Sequence, residues 1–465
     1  MQRRSFLKSI IAAATGPMLF NGCSTSFLAC RKINIGVIGF GRIASTMDVP
    51  NTIKYLDKCR FVAVAEVDAK RREYGKKFIQ DQYRKLTGES AAEVKTYADY
   101  RQMLLDPSID AVMVCVPDHW HAIIATDAVI SGKDVWLQKP FTQTIEEGRI
   151  LRDLAIARGT VMQVASWQRS RPQFAQVCEL VRSGRIGNVV RVEVGCGLDK
   201  PGGSSQRQPI PENLDYDRWL GPTDPTQPYN ETRVHTQDLK RIFTRPGWIQ
   251  LEPYGWGMIT NWGAHQIDVA QWGLGKDDFG PESVEGTAEW MPTSNGRLWN
   301  VHTKYDLHYS YNAGKTDVNV SHKYPMGIKF IGEKGQWLYC MRGATATPSD
   351  PKDAKAGRMM PLMASDKKLL EPLAANSPYK VHTSNDHWVN WLDAVLARDP
   401  SMTVTNASIA QRTATACNLG YMCMKLGRKI EWDAKEEKCL TVAALPLIKP
   451  FERGDYNLSR AYKAL

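Results

Sequence analysis

The chain lacks the features that mark most specialised classes of protein. Its 465 residues contain no low-complexity tract and no obvious repeat, and 43% of them are hydrophobic, a composition typical of globular proteins. Of its ten cysteines, those from Cys59 to Cys439 form no CxxC pair and no regular spacing, which argues against a zinc or disulfide framework and favours buried free thiols. A chain of this length is too long for one ordinary core and suits two domains that share an interface.

A second absence concerns the distribution of charge. The net charge is +11, but no stretch interleaves basic residues with aromatic ones as a nucleic-acid-binding arm does. We therefore expect no nucleic-acid partner. The positive charge is better suited to attracting the phosphates of an anionic cofactor and acidic ligands.

The N-terminus has the pattern of an export signal rather than part of a fold. Arg3-Arg4-Ser5-Phe6-Leu7-Lys8 matches the twin-arginine motif and precedes an apolar stretch, Ile10 to Phe20, that is too short to span a bilayer comfortably. Residues 1–30 are therefore predicted to be an export signal, and the protein to be exported to the periplasm. Cys23 or Cys30 would be the lipidated residue of an anchored form, but neither neighbourhood is a clean lipobox, so tethered and free forms both stay open.

A strand that runs into a glycine-rich turn begins the folded part of the chain. The β-branched residues 33–38 lead directly into Gly39-Phe40-Gly41-Arg42-Ile43-Ala44. Gly39 would make a tight turn, Gly41 would let the backbone approach a pyrophosphate, and Ala44 would permit close packing of helix on strand. The phosphates would then lie at a helix N-terminus, where free N–H groups favour anions.

The end of the next strand supports a dinucleotide site. Residues 61–65 end at Glu66, whose carboxylate would bind both ribose hydroxyls and repel a 2′-phosphate, which favours NAD. Lys70-Arg71-Arg72 follows immediately and would instead hold that phosphate, so NADP stays open.

Further strands alternate with helical stretches, which predicts a doubly wound parallel sheet. Residues 111–116 end in Pro117-Asp118-His119-Trp120-His121, and residues 134–137 end in Gln138-Lys139-Pro140. Ligands in such sheets lie beyond the carboxyl ends of the strands. His119 and His121 have no third ligand at a workable spacing, so no metal is expected, and they would line the nicotinamide ribose pocket or cap the next helix.

These motifs, with later ones in the same order, resemble the Gfo/Idh/MocA family, which includes glucose-fructose oxidoreductase and inositol dehydrogenases. The resemblance covers nearly all residues after the export signal. The segments that carry it are Gly39-Phe40-Gly41-Arg42-Ile43, Val116-Pro117-Asp118-His119-Trp120-His121, Gln138-Lys139-Pro140, Asn261-Trp262-Gly263-Ala264-His265-Gln266-Ile267-Asp268 and Phe330-Ile331-Gly332-Glu333-Lys334-Gly335.

The resemblance implies roles for individual residues. Lys139 matches the lysine of the family's Glu-Lys-Pro motif, and His265 matches its acid-base histidine, so both are expected to be catalytic. Histidine titrates near neutrality and lysine can stabilise a developing negative charge, as such chemistry requires. Gln138 and Asn261 stand where the family usually has glutamate and aspartate, and Asn261 is expected to bind substrate or orient His265. The residues expected to contact the cofactor are Gly39, Phe40, Gly41, Arg42, Ile43, Glu66, Val116, Pro117, His121, Gln138 and Lys139.

The second half of the chain predicts an α+β domain. Residues 280–340 alternate apolar and polar side chains, which favours an open, mostly antiparallel sheet with one buried face. A loop-rich segment, Pro211 to Asp268, is dense in Trp, Tyr, His and Arg and is predicted to hold the substrate. Further pocket candidates are Trp167, Arg169, His235 and Tyr254. The predicted domains are 31–160 (Rossmann), 161–384 (substrate and oligomerisation) and 385–465 (helices and tail that pack on the Rossmann domain).

The function expected from these features is reversible hydride transfer at a ring hydroxyl or keto group of a sugar or glycoside, with NAD or NADP. Two alternatives stay open. One is hydrolysis of a glycoside through transient oxidation with NAD, and the other is a catalytically silent sugar-binding protein, suggested by Gln138 and Asn261. The exposed sheet face favours a homo-oligomer.

Overall fold

A computed structural model describes residues 32–89, 93–343 and 361–465. The predicted export signal, including Cys23 and Cys30, lies outside the described residues. Residues 33–465 form one unit with two β-sheets.

The first sheet is parallel, as the sequence predicted, and contains six strands. Their order is β3-β2-β1-β4-β5-β6, and β4 and β5 are buried along their whole length, which accounts for their continuous apolar sequence. Because the order reverses between β1 and β4, a crevice forms at their carboxyl ends. The strands are β1 Ile33–Ile38, β2 Cys59–Ala65, β3 Lys95–Tyr97, β4 Ala111–Val114, β5 Asp134–Leu137 and β6 Met162–Val164, so the sheet extends past position 160.

Side-chain caps begin the longer helices around this sheet. Asp68 accepts hydrogen bonds from the backbone N–H groups of Lys70 and Arg71 at the start of α2, and Thr144 forms a capping box with Glu147 in α5. After the glycine turn the chain forms a π-helical turn, Ala44–Asp48. The helices are α1 Val49–Thr52, α2 Ala69–Thr87, α3 Tyr100–Leu104, α4 His121–Ile130 and α5 Ile145–Ala157.

The second sheet is open and mostly antiparallel, which confirms the predicted fold class. Its order is β13-β12-β11-β7-β10-β9-β8-β14-β15, and β7 pairs with β10 in parallel. Burial alternates along β9, where Tyr305, Leu307 and Tyr309 are buried and the residues between them are half-buried. The strands are β7 Val189–Gly195, β8 Ser283–Trp290, β9 His302–Tyr311, β10 Thr316–Ser321, β11 Gly327–Gly332, β12 Trp337–Cys340, β13 Leu362–Ala364, β14 Ile430–Asp433 and β15 Lys438–Cys439.

Among the remaining helices, α10 packs on the parallel sheet and α11 reaches the cores of both sheets. In α10, Trp391 packs edge to face on Trp136 of β5, with ring centroids 5.8 Å apart. Along α11, Ala410 and Ala414 belong to the core of the parallel sheet, whereas Leu419 belongs to the core of the second sheet. The helices are α6 Pro172–Arg182, α7 Tyr216–Leu220, α8 Met258–Asn261, α9 Gly263–Gly273, α10 His387–Ala397, α11 Ala407–Leu426 and α12 Ser459–Ala464.

The C-terminal region, residues 385–465, contacts both domains, whereas the sequence predicted packing on the Rossmann domain alone. α10 and α12 pack on the Rossmann domain, but β14 pairs with β8 and extends the second sheet. Within the described ranges, no helix is long and apolar enough to cross a membrane. The same part of the chain contains no cluster of three His, Cys, Asp or Glu residues placed for a metal ion.

Candidate active site

A cavity of about 390 Å³ opens at the carboxyl ends of β1, β4 and β5, with residues of the second domain on its far wall. This is the crevice at which doubly wound sheets bind their ligands. The predicted site residues that line it are Gly39, Gly41, Arg42, Ile43, Glu66, Val116, Pro117, Gln138, Lys139, His235 and Asn261.

The glycine turn has the shape that a dinucleotide needs. Gly39 has φ 84°, and a Cβ there would lie 2.7 Å from the carbonyl oxygen of Cys115, so this position requires glycine. A Cβ on Gly41 would meet nothing within 4 Å, which leaves its backbone open to the cavity. Phe40 does not line the cavity, because its ring is fully buried, and its backbone N–H donates to Glu66 Oε2 at 2.8 Å.

Glu66 lies on the cavity wall at the end of β2. Its Oε1 accepts a hydrogen bond from the N–H of Asp68 at 3.1 Å. A carboxylate with several acceptor positions suits ribose hydroxyls. The glycine turn and Glu66 together fit a nicotinamide dinucleotide.

The basic residues after Glu66 are held by the protein itself. Lys70 Nζ donates to the carbonyl of Gln237 at 2.8 Å, and an Arg71 Nη donates to the carbonyl of Thr236 at 2.6 Å. Arg72 donates to the backbone carbonyl of Glu66 at 2.7 Å. All three thus donate to backbone oxygens, and Arg71 also lines the cavity.

Lys139 stands where the two domains meet. Its Nζ donates to the backbone carbonyl of Asn261 at 3.1 Å, and both residues line the cavity. Burial lowers the pKa of Lys139, the carboxylate of Asp118 opposes that change, and Arg42, Arg342 and Arg245 lower the pKa further. Burial raises the pKa of Asp118, which the charge of Lys139 opposes.

His265 lies beside the cavity but is not part of its lining. Its ring packs against Trp167 and Trp262, with centroids 6.0 and 5.7 Å away. Its Nδ1 is buried and has no hydrogen-bond partner among the described residues. Burial first, then the charges of Arg342 and Lys139, lower the pKa of His265 well below its ordinary value, so the imidazole is neutral.

His121 supports the wall of the cavity rather than facing it. Its Nδ1 lies 2.6 Å from the carbonyl oxygen of Pro140, and its Nε2 lies 3.1 Å from that of Val116. Burial lowers the pKa of His121 to about 4. The ring therefore ties the segments after β4 and β5 together, and we assign it no direct contact with the cofactor.

Three predicted pocket residues are also placed behind the wall. The guanidinium of Arg169 is buried and binds Asp268 at 2.8 Å and Asp277 at 2.7 Å, which makes it a structural ion pair. Tyr254 is fully buried, with its hydroxyl 3.4 Å from a nitrogen of Arg233. Trp167 stacks on Arg342, whose guanidinium lies 4.0 Å from the ring centroid.

His235 is the fourth of these candidates, and it does line the cavity. Its Nε2 lies 3.0 Å from Oδ2 of Asp68, at the start of α2. This contact joins the loop-rich segment Pro211 to Asp268, called the aromatic segment below, to the Rossmann domain at the Glu66 end of the cavity.

Sequence reasoning assigned no individual role to three residues on or behind the cavity wall: Asp118, Arg245 and Asp48. Asp118 lines the cavity and is 5% exposed, although its motif was noted. Arg245 also lines the cavity, and it pairs with Asp199 at 2.9 Å. Asp48, behind the wall, accepts a hydrogen bond from the Gln138 amide at 2.7 Å. The partners of Arg245 and Asp48 lie 46 and 90 residues away, so no local pattern could have identified these two residues.

Comparison with known proteins gives consistent matches over both domains. Residues 33–166 match the profile of the GFO_IDH_MocA oxidoreductase family with its NAD-binding Rossmann fold, and residues 164–336 match the profile of the C-terminal alpha/beta domain of that oxidoreductase family. Residues 33–166 thus form an NAD-binding Rossmann domain.

Similar proteins include two characterised dehydrogenases. The chain is 30% identical to the D-xylose 1-dehydrogenase (NADP(+)) of Hypocrea jecorina over 34% of its own length and 39% of that protein. It is 26% identical to the myo-inositol 2-dehydrogenase of Thermotoga maritima over 45% of its own length and 54% of that protein. The chain thus spans about half or less of these curated relatives.

A solved structure with a similar fold is the aldose-aldose oxidoreductase of Caulobacter crescentus. It is 16% identical, with a TM-score of 0.56, and the match covers 86% of this chain and 100% of that one. At this identity the likeness concerns the fold.

Proposed function

Because this chain belongs to the Gfo/Idh/MocA family of oxidoreductases, we propose that it oxidises a ring hydroxyl of a sugar or glycoside reversibly, or reduces the matching keto group. The observation that carries the proposal is the position of Lys139, in a cavity that also contains the glycine turn and Asn261 of the second domain. The relatives named for xylose and inositol support a polyhydroxylated substrate. The bound nicotinamide would supply the hydride acceptor or donor.

Lys139 and Asn261 would bind the reacting end of the substrate. The ammonium group of Lys139 would donate a hydrogen bond to the reacting oxygen and stabilise the negative charge that develops there. Asn261 lines the same wall, and its side-chain amide can both donate to and accept from sugar hydroxyls. Enclosure by two domains would keep water away from these hydrogen bonds.

The proton of the hydroxyl group needs an acceptor. His265 is the proposed base, because its imidazole is neutral and its Nδ1 has no hydrogen-bond partner within the described part of the chain. Asp118 lines the cavity near Lys139 and would hold the ammonium form of Lys139 by its negative charge.

We propose that the protein works outside the cytoplasm, on the basis of the Arg3-Arg4 motif. Free NAD is scarce there, so the cofactor would travel bound to the folded protein and be recycled by a second substrate. The half-buried polar face of the second sheet is the proposed contact of a homo-oligomer, which sedimentation analysis would test.

The test is release of the cofactor followed by a substrate screen. Denaturing the purified protein should release a nicotinamide dinucleotide, and a panel of free sugars, keto-sugars and aryl glycosides should identify a substrate by a change in bound NADH fluorescence. A protein that carries no dinucleotide and also fails to bind NAD would refute the proposal. Release of aglycone without net NADH would instead support hydrolysis through transient oxidation.

A further inference from the structure

The carboxyl ends of two neighbouring strands bring Asp118 and Lys139 to the same cavity. β4 pairs with β5 in parallel, so the segments that follow these two strands run side by side. The His121 ring joins these segments, because its nitrogens lie 2.6 and 3.1 Å from the carbonyl oxygens of Pro140 and Val116. Asp118 and Lys139 are therefore held beside each other on the cavity wall.

The carboxyl group of Asp118 has open acceptor positions. Burial raises its pKa, and the charge of Lys139 and its own backbone N–H oppose that change. No other residue in the described ranges donates a hydrogen bond to it. A carboxyl group has several acceptor positions and keeps some of them when it is protonated. Because a buried acceptor without a donor is costly, this group favours a ligand that brings an O–H.

Lys139 provides the complementary group. One N–H of its ammonium donates to the carbonyl of Asn261 at 3.1 Å, which leaves two for a ligand. The charges of Lys139 and Asp118 act on each other, but no direct ion pair joins these two described side chains. The two residues thus offer a donor and an acceptor at separate points, with opposite charges that balance. This arrangement suits a neutral molecule with two adjacent hydroxyl groups.

The second domain faces the carboxyl group of Asp118. A Cβ on Gly255 would lie 3.5 Å from Asp118 Oδ2, and the segment that contains Gly255 leads into α8, which ends at Asn261. The glycine turn that suits the cofactor phosphates follows β1 instead. The ligand expected at Asp118 is therefore the substrate.

We propose that Asp118 selects the substrate by the hydroxyl group next to the reacting one, which donates a hydrogen bond to its carboxyl group while the reacting oxygen binds Lys139. This inference rests on the proposed oxidoreductase function. The substrate is accordingly a vicinal diol. A sugar that lacks the neighbouring hydroxyl, or has fluorine in its place, leaves a buried acceptor without a donor and is a poor substrate.

The test uses the purified, NAD-loaded protein and matched sugars. The best substrate among glucose, galactose and xylose is chosen, and NMR of its product identifies the oxidised carbon. Deoxy and deoxy-fluoro analogues at each neighbouring carbon are then compared with the parent sugar. At one of these carbons, both analogues should have a kcat/KM about 10- to 100-fold lower than the parent, mainly through a higher KM.

Variants of Asp118 should change this preference in a graded way. Asp118→Ala should lower kcat/KM for the parent sugar alone and bring the parent and its analogues within about threefold of each other. Asp118→Asn keeps an acceptor oxygen and should retain a preference of about three- to tenfold, because a neutral acceptor forms a weaker hydrogen bond. Asp134→Asn changes a buried carboxyl group at the amino end of β5 and should leave the preference intact.

Two results would overturn the inference and leave the oxidoreductase function standing. A deoxy-fluoro analogue at every neighbouring carbon as good as the parent would show that Asp118 needs no donor from the substrate. Equal losses for the parent and its analogues in Asp118→Ala, together with weaker NAD binding, would place the carboxyl group on the cofactor ribose.

Binding measured without turnover separates this inference from the proposed function. If no sugar is oxidised, the proposed function fails, and thermal denaturation of the NAD-loaded protein with the same sugars still tests the inference. Stabilisation by a parent sugar that is lost with its deoxy analogue and in Asp118→Ala would support the hydroxyl site. Absent or equal stabilisation would overturn it.

Discussion

Burial and the charges of four other residues set the pKa of Lys139. Because burial lowers its pKa, its ammonium form is present at low pH and is lost, as the pH rises, earlier than that of an exposed lysine. Reduction of a keto-sugar, which needs the ammonium form, should therefore decline on the alkaline side of its pH profile at an unusually low pH.

Two substitutions should move this alkaline limb in opposite directions. Asp118→Asn removes the negative charge that stabilises the ammonium and should shift the limb of kcat/KM to lower pH by about one unit. Arg245→Gln removes a positive charge and should shift it to higher pH, when measured with a neutral substrate. Profiles that move in the same direction would show that Lys139 is not the titrating group.

Loss of either proposed catalytic group should affect turnover more than binding. Lys139→Met and His265→Ala should each reduce kcat by about a hundredfold or more while the protein still folds and binds NAD. Their effects should be non-additive, because both act on one oxygen. Steady-state kinetics and NAD titration by fluorescence provide the check. Near-normal turnover in His265→Ala would point to another proton acceptor, with Asp118 as the first candidate.

The hydrogen bond between Gln138 and Asp48 can be tested by exchanging the amide and the carboxyl group between these two positions. Its amide donates to Asp48 at 2.7 Å, and Asp48 is 1% exposed with a pKa raised by burial to about 6. Gln138→Glu would bring two carboxyl groups together, so one must stay protonated, and kcat/KM should fall about tenfold or more. Adding Asp48→Asn restores an acid and an amide with exchanged positions and should recover most of the loss.

The control for this exchange is a buried acid far from the cavity. Asp134, at the amino end of β5, is 3% exposed and accepts a hydrogen bond from the Val161 N–H at 2.9 Å, and Asp134→Asn should lower the melting temperature without changing kcat/KM. A double variant no more active than Gln138→Glu alone would show that the Asp48–Gln138 bond does not position the site.

At the scale of elements, the C-terminal tail fastens the aromatic segment over the cavity. Arg453 donates to the Asp217 carboxylate at 2.7 Å and to the carbonyl of Gly221 at 2.6 Å. Tyr456, three residues later, lines the cavity. The tail itself is anchored by the buried side chain of Leu458 in the Rossmann core.

Arg453→Ala removes the hydrogen bonds to the Asp217 carboxylate and the Gly221 carbonyl. It should therefore weaken the contact between the tail and the aromatic segment and speed release of NAD by about five- to tenfold. Stopped-flow fluorescence of bound NADH would measure the rate. Lys463→Ala removes an exposed charge in the same tail and should leave the rate of NAD release unaltered. An unchanged rate in Arg453→Ala would show that the tail does not control cofactor exit.

Elements with a strong local pattern could be predicted from the sequence, and those that depend on distant partners could not. The strands around Gly39, Glu66 and Lys139 end in recognisable motifs, so the parallel sheet could be predicted from them. β14 and β15 are four and two residues long, which is too short for a periodic pattern. Their place is decided by the pairing of β14 with β8 and of β15 with β14. Arg169 was predicted to face the substrate. Its acidic partners lie about a hundred residues further along the chain, so its sequence neighbourhood does not reveal the ion pair.

At the scale of the whole molecule, α11 makes one cooperative unit of two domains. Its first half packs in the Rossmann core and its second half in the core of the open sheet. NAD at about a hundred times its Kd adds about 2.7 kcal/mol to the free energy of unfolding at 25 °C, and this should shift a single thermal transition of the entire chain. Calorimetry with and without NAD is the measurement; two transitions, of which one responds, would contradict the coupling.

The position of α10 also sets the order in which the protein can mature on the ribosome. Trp388, Trp391 and Leu392 of α10 share one core with Val37 of β1 and Phe40 of the glycine turn, yet they are synthesised long after that turn has emerged. Domains that fold during synthesis need their whole core to be available. The glycine turn therefore gains its full support only after α10 has been synthesised.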